Sequence, residues 1–247
     1  MKPALLLALA LAAPASAGQH VVVIDPGHGG GGDSGSQAAR TLSASNNATS
    51  PGGLREKDLT LELSLEIRKQ LELLAPAHRG TRIDCVMTRS DDSNPDFAKR
   101  AALCAAGKKP PAVIFSIHFN ASDKHDALGS LTVVHNKSVN TNYQKDQAFA
   151  IGLTRAAHAA VAGYLPASKA RDPISDAHLH NGAGSNFFYQ LDLRPALKAV
   201  PKCFLEVEFM DRRDVEQKLL QQRKEAFPAI ARAIAAYLYE YCGQLAE

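Results

Sequence analysis

The chain has 247 residues, a formal charge of +3 and few aromatic residues (6%). That near-neutral balance offers no basic footprint for nucleic acid and no polybasic face for an anionic membrane, and the length suits one domain with a full core. Cys85, Cys104, Cys203 and Cys242 are far apart and form no CxxC, which argues against a cysteine-bound metal.

Residues 2–17 have the build of a secretory signal: Lys2 for charge, Leu5 to Ala13 as the apolar core, and Ala15-Ser16-Ala17 as a small-residue cleavage site. The apolar run is too short to span a bilayer, and no cysteine follows Ala17 to take a lipid, so no membrane anchor is expected. The expectation is a signal peptide over 1–17, a domain over 18–247, and an exported protein, periplasmic or extracellular. In that setting an even number of cysteines favours disulfides. Of the three pairings, Cys85 with Cys104 and Cys203 with Cys242 is preferred, each joining a strand to a later helix.

Val21 to Ile24 reads as a buried strand running into Asp25-Pro26-Gly27, which sets His28 at its carboxyl end ahead of Gly29 to Gly32. A histidine on a rigid strand end is well placed to face a cleft. A polar loop without hydrophobic period, Asp33 to Arg55, follows, and loops this long inside a domain are functional or disordered. Leu59 to Leu74 alternates like a strand yet also matches helical spacing. Sixteen residues without a turn signal decide for a helix, with Glu56 just before or in its first turn and Pro76 at its end. Thr81 to Thr88 is a strand. Ser93-Asn94-Pro95 reads as a cap with proline at the first helical position, opening a helix through Ala106.

Pro110-Pro111 precede Ala112 to Ile117, an apolar run typical of a central strand, which stops at His118. Gly129 to Val134 is a strand and Tyr143 to Tyr164 a helix. A second irregular loop, Arg171 to Ser185, carries His178 and His180. Asn186 to Leu191 looks like a short strand, and Cys203 to Phe209 is a strand containing Glu206 and Glu208, whose alternation puts both on one face. Arg213 to Gln222 and Lys224 to Tyr241 close the chain as helices, with Pro228 in the first turn of the last. Alternating strands and helices predict an α/β fold: a single domain with a twisted, mostly parallel (mixed) β-sheet and helices on both faces.

In such sheets ligands collect at the carboxyl ends of strands, where His28 and His118 both stand. A catalytic zinc site needs three N or O ligands, an open position and a nearby base. Glu56 can supply an oxygen, and a charged residue inside the last strand calls for a partner or a function. Rival motifs are weaker. Gly27 to Gly32 matches G-x-G-x-x-G in letters, but no helix opens after it. No phosphate-binding loop and no G-x-S-x-G appears. His178-Leu-His180 resembles a metal clip set in a loop, and His20, His78, His125, His135 and His158 have no evident partner.

Ile24-Asp-Pro-Gly-His-Gly-Gly30, Glu56-Lys-Asp58, Met87-Thr-Arg89, Ser116-Ile-His-Phe-Asn-Ala121 and Leu205-Glu-Val-Glu-Phe209 occur in this order. The series resembles the type-3 catalytic domain of zinc-dependent N-acetylmuramoyl-L-alanine amidases, bacterial cell-wall hydrolases, over about Val21 to Leu238. The resemblance implies that His28, Glu56 and His118 bind Zn2+, that Glu206 is the catalytic carboxylate, and that peptidoglycan is the partner, with room for a protein activator. It also implies cleavage between the lactyl group of N-acetylmuramic acid and L-alanine. Asp25 and Asn120 are candidates for orienting the histidines. The chain departs from the family pattern at Glu208, where glycine is usual, and at Arg212 and Ala105, where asparagine is. Glu208 and Arg212 motivate one alternative, a zinc exopeptidase on the same scaffold; a non-catalytic cell-wall binding module is the other.

Overall fold

Val22, Val23 and Ile24, at most 1% exposed, sit on a strand flanked on both edges. The computed structural model describes residues 18–179, 182 and 184–245; the expected signal segment 1–17 and His180 lie outside the described residues. In chain order the elements are β1 (Gly18–Pro26), α1 (Glu56–Leu74), β2 (Thr81–Met87), α2 (Phe97–Cys104), β3 (Val113–Asn120), β4 (Leu131–Val134), α3 (Tyr143–Val161), β5 (Ile174–Ser175), α4 (Asn186–Asp192), β6 (Lys202–Phe209), α5 (Arg213–Val215) and α6 (Arg223–Gly243). One six-stranded sheet runs β2-β1-β3-β6-β4-β5. The first four strands are mutually parallel, β4 runs antiparallel to β6, and β5 follows β4. The mixed α/β sheet therefore matches the sequence reading.

Helices cover both faces. Against one face lie α1, α3 and α6, with Leu59, Leu63, Ile67 and Leu71 of α1 all buried at four-residue spacing. That row settles the ambiguous segment as helix, since a strand would have buried Leu61 and Leu65 alongside Leu59. The other face holds a smaller core of Ala101, Phe187, Phe188 and Leu191 from α2 and α4.

Five expectations need correction. Asn186–Asp192 is a helix, because the Ser185 hydroxyl accepts from the Phe187 and Phe188 amides at 3.1 and 3.3 Å and caps its start. The helix after Pro95 begins later than read, since Asp96 is the cap and accepts from the Lys99 amide. Pro228 lies inside α6, five residues beyond its start, and the segment after Arg213 passes into a π-helical turn, Glu216–Leu220. All four cysteines are free. Cys85 borders the core under α1 and α6, while Cys104 belongs to the core under α2, so the sheet itself stands between them. Cys203 and Cys242 share a core without being bonded, and burial pushes the Cys242 thiol up to about 12.

Candidate metal and catalytic site

The carboxyl ends of β1, β3 and β6 meet the first residue of α1. After Pro26, the Gly27 amide donates to the Ile117 carbonyl at 3.0 Å, holding the turn to β3. His28 follows with φ 61°, a left-handed conformation that a side-chain-bearing residue rarely adopts without support. Its Nδ1 donates to the Ala44 carbonyl at 3.0 Å, which leaves Nε2 as the ring nitrogen that faces the site. Among the described residues Nε2 has no hydrogen-bond partner, and it lies 3.2 Å from Glu56 Oε1.

Glu56 is 1% exposed and opens α1. Its Oε2 accepts from the Ala48 amide at 3.1 Å, and Oε1 accepts from the Phe119 amide at 3.2 Å. His118 Nδ1 lies 3.0 Å from the same Oε1, and the two imidazoles stand edge to face with centroids 4.9 Å apart. Gly27 makes room for that arrangement: a β-carbon there would lie 2.4 Å from His118 Cε1. Gly29 is likewise packed against the Ser93 carbonyl, while Gly31 and Gly32 face open space. Glu206, paired in register with His118, lines the same cavity of about 210 Å³, and its Oε2 is buried without a partner among the described residues. Leu42, Phe97, Leu179, Phe187 and Phe204 form an apolar wall, so both long loops contribute to the cavity. A larger cavity of about 730 Å³, beside His125 and Asp211, contains none of the four residues.

The charges respond to this crowding. Burial disfavours a charge on Glu56, yet the two histidines hold its carboxyl down to about 2. Burial pushes Glu206 up to about 7, against the pull of His118 and with the Glu56 carboxylate adding to the rise. Burial opposes a charged His118, but the hydrogen bond and charge of Glu56 keep its imidazole above the ordinary range. His28, Glu56 and His118 each offer a ligand atom, all within 4.8 Å of one another. Two imidazole nitrogens converging on a desolvated carboxylate call for positive charge among them, so this N, N, O set fits a divalent cation such as zinc.

The family model for N-acetylmuramoyl-L-alanine amidases (Amidase_3) matches residues 22–236. The chain belongs to this family. Among curated proteins it is 34% identical over 111 residues to the N-acetylmuramoyl-L-alanine amidase AmiC of Neisseria meningitidis serogroup B, covering 44% of this chain and 21% of that protein. Among solved structures it resembles Cwp6 from Clostridium difficile, with TM-score 0.62 and 26% identity over 90% of this chain and 29% of that one. It also resembles the amidase AmiC2 of Nostoc punctiforme, with TM-score 0.59 and 23% identity over 92% and 98% of the two chains. The chain thus spans about a fifth of the curated relative.

Within this amidase-family fold, several expected residues stand elsewhere. Three β6 steps, Glu206 to Phe209, match two β3 steps, His118 to Asn120; this bulge turns Glu208 off the face of Glu206. The Glu208 carboxylate accepts instead from the Gly129 amide and the Ser168 hydroxyl, at 2.6 and 2.5 Å. Arg212 forms a two-pronged pair with Asp214 and donates to the Asp126 carbonyl. Asp25 and Asn120 touch neither imidazole: Asp25 accepts from Thr88, Ser116 and Arg100, and Asn120 from the Ala121 amide. His178 is exposed and outside the metal-ligand group. His78, His125 and His135 do have partners, in Tyr239, Asp211 and Asp192. The sequence reading assigns no role to Lys57, Arg89 or Arg100, all three of which are buried in the structure.

Proposed function

We propose that this chain is a zinc-dependent hydrolase that cleaves the amide between the lactyl group of N-acetylmuramic acid and L-alanine in peptidoglycan. His28, Glu56 and His118 would hold the metal and Glu206 is the catalytic carboxylate. The observation that carries the reading is the convergence of two imidazoles and a buried carboxylate beside a second carboxylate with an unpartnered oxygen, in a chain of this family.

Bound zinc supplies Lewis-acid polarisation of a carbonyl and lowers the pKa of water from 15.7 towards about 7. The protein's own groups do the rest. Glu206, its carboxyl high because it is buried, takes the proton of the attacking water as the new carbon–oxygen bond forms. It returns that proton to the amide nitrogen as the carbon–nitrogen bond breaks. The products are the lactyl carboxylate and a peptide with a free L-alanine amine. Ala44 and the Phe119 amide hold His28 and Glu56 in place from behind. Cleaving wall peptidoglycan requires export, and residues 1–17 have the composition for it.

The test is digestion of purified peptidoglycan with mass analysis of the products. The expectation is intact stem peptides beginning with L-alanine, a single zinc per chain by elemental analysis, and loss of release in Glu206→Ala. Absence of zinc, or full activity in His28→Ala, would overturn the reading. Turnover of free peptides but not muropeptides would favour an exopeptidase instead. Zinc-independent pelleting with cell wall and no turnover would favour a binding module.

A further inference from the structure

The turn that carries His28 is gripped from behind by three buried cations. Arg100, 0% exposed on α2, has its guanidinium fully committed. Its five N–H donors meet five acceptors: the Pro95 carbonyl, Asp25 Oδ1, the Pro26 carbonyl, the His28 carbonyl at 2.7 Å and Asn94 Oδ1. Arg89 donates to the Pro26 and Gly27 carbonyls at 3.0 and 2.8 Å. Lys57 donates to the Gly30 carbonyl at 2.6 Å and pairs with Asp92. The carbonyls of Pro26, Gly27, His28 and Gly30 are therefore all taken by cationic side chains.

A buried ion pair kept only for the fold would not need this aim. Lys202 is the comparison within the same molecule: it is equally buried and lies 3.4 Å from Asp192, but at the opposite end of the sheet, across from Ile114. Arg100 alone among the three cations bonds the carbonyl of His28 itself, the residue at φ 61°. Asp25, whose second oxygen is occupied by Ser116, holds the guanidinium in the orientation that reaches it. We propose that Arg100, oriented by Asp25, is a positioning residue that fixes the left-handed backbone of His28 and so sets the metal affinity of the site. This rests on the metal reading given above. Arg100 does not touch the imidazole. It acts through the main chain.

The experiment measures zinc affinity of the folded protein by chelator competition, with circular dichroism to verify folding. Arg100→Lys keeps the charge beside Asp25 but cannot reproduce the five-donor fork. Its affinity should fall about 10–100-fold, the range found when groups supporting metal ligands are removed. Lys202→Met should lower the thermal midpoint and leave zinc affinity unchanged. Wild-type affinity in folded Arg100→Lys, or equal losses of affinity in the two variants, would overturn the proposal. Should Arg100→Lys fail to fold, Asp25→Asn keeps the size of that side chain and loses the charge that orients the guanidinium. Weaker zinc binding there supports the proposal, and unchanged binding overturns it. A wild-type protein that binds no zinc removes the metal reading itself, and this inference with it.

Discussion

Gly27→Ala is the sharpest test of how the site is built. The added β-carbon would lie 2.4 Å from His118 Cε1 and 2.7 Å from each ring nitrogen, where ordinary contact begins at 3.4 Å. The ring must retreat by the difference, about 1 Å, whereas metal–ligand distances tolerate only about 0.2 Å. Retreat is opposed by the Glu56 carboxylate, 3.0 Å from Nδ1, and by the Phe204 ring, 5.5 Å away between centroids. Overpacking of this kind costs about 1–3 kcal/mol, a drop of roughly 2–12 °C in Tm for a chain this long. The protein should stay folded but lose zinc affinity at least about tenfold, since supporting changes alone reach that size. Thermal melts with and without chelator read both effects, because bound metal raises Tm by mass action and the chelator shift should collapse in the variant. Wild-type zinc affinity in Gly27→Ala would show that His118 does not need the clearance, and the ligand assignment built on it would fall.

Glu206→Gln should lower peptidoglycan hydrolysis by about 10²–10⁴-fold with zinc content intact; comparable loss of zinc would make Glu206 a ligand instead. Glu216→Ala removes the acceptor of the Ser50 hydroxyl and the Gly52 amide. It should cost about 1–3 kcal/mol and open residues 46–55 to limited proteolysis, and an unchanged cleavage pattern would count against that. Burial opposes a charge on Asp25, but Arg100, Ser116 and Thr88 outweigh it and hold its carboxyl below the ordinary 3.8. A depressed carboxyl contributes stability fully above the unfolded value, and that stability is lost as pH falls through the folded value. The Tm of the wild type should therefore fall more steeply than that of Asp25→Asn below about pH 4, and parallel curves would contradict it. All four thiols should alkylate after unfolding without reductant, and any shortfall in intact mass would reveal a bridge.

The sequence carried the frame of the site because its signals were local. An apolar run ending at His28, another ending at His118, and an acid at a helix start each declare a position on the sheet edge. What it hid was non-local. The bulge between β3 and β6 breaks the two-residue alternation, so Glu206 and Glu208 looked equivalent although only Glu206 faces the cavity. Asn186 to Leu191 looked like a strand because its aromatic residues favour one, and only the Ser185 cap and the packing of Phe187, Phe188 and Leu191 against the sheet decide for helix. The even cysteine count suggested bridges, but the faces on which Cys85 and Cys104 fall depend on a sheet order no spacing reveals. The cations that grip the His28 turn arrive from α1, β2's end and α2, and nothing in their own neighbourhoods announces a shared target.

The link from Glu216 to Ser50 spans 166 positions, and the strand bearing Glu206 must slot between β3 and β4, which precede it in the chain. Contacts of such separation form late, after the entropy of closing long loops has been met. A chain ending before residue 202 would carry His28, Glu56 and His118 but lack Glu206 and the strand that bears Phe204 on the cavity wall. In the function proposed above, β6 is therefore the piece that adds a base to the three converging ligand residues, and it does so from the far end of the chain through its place beside β3 in the sheet.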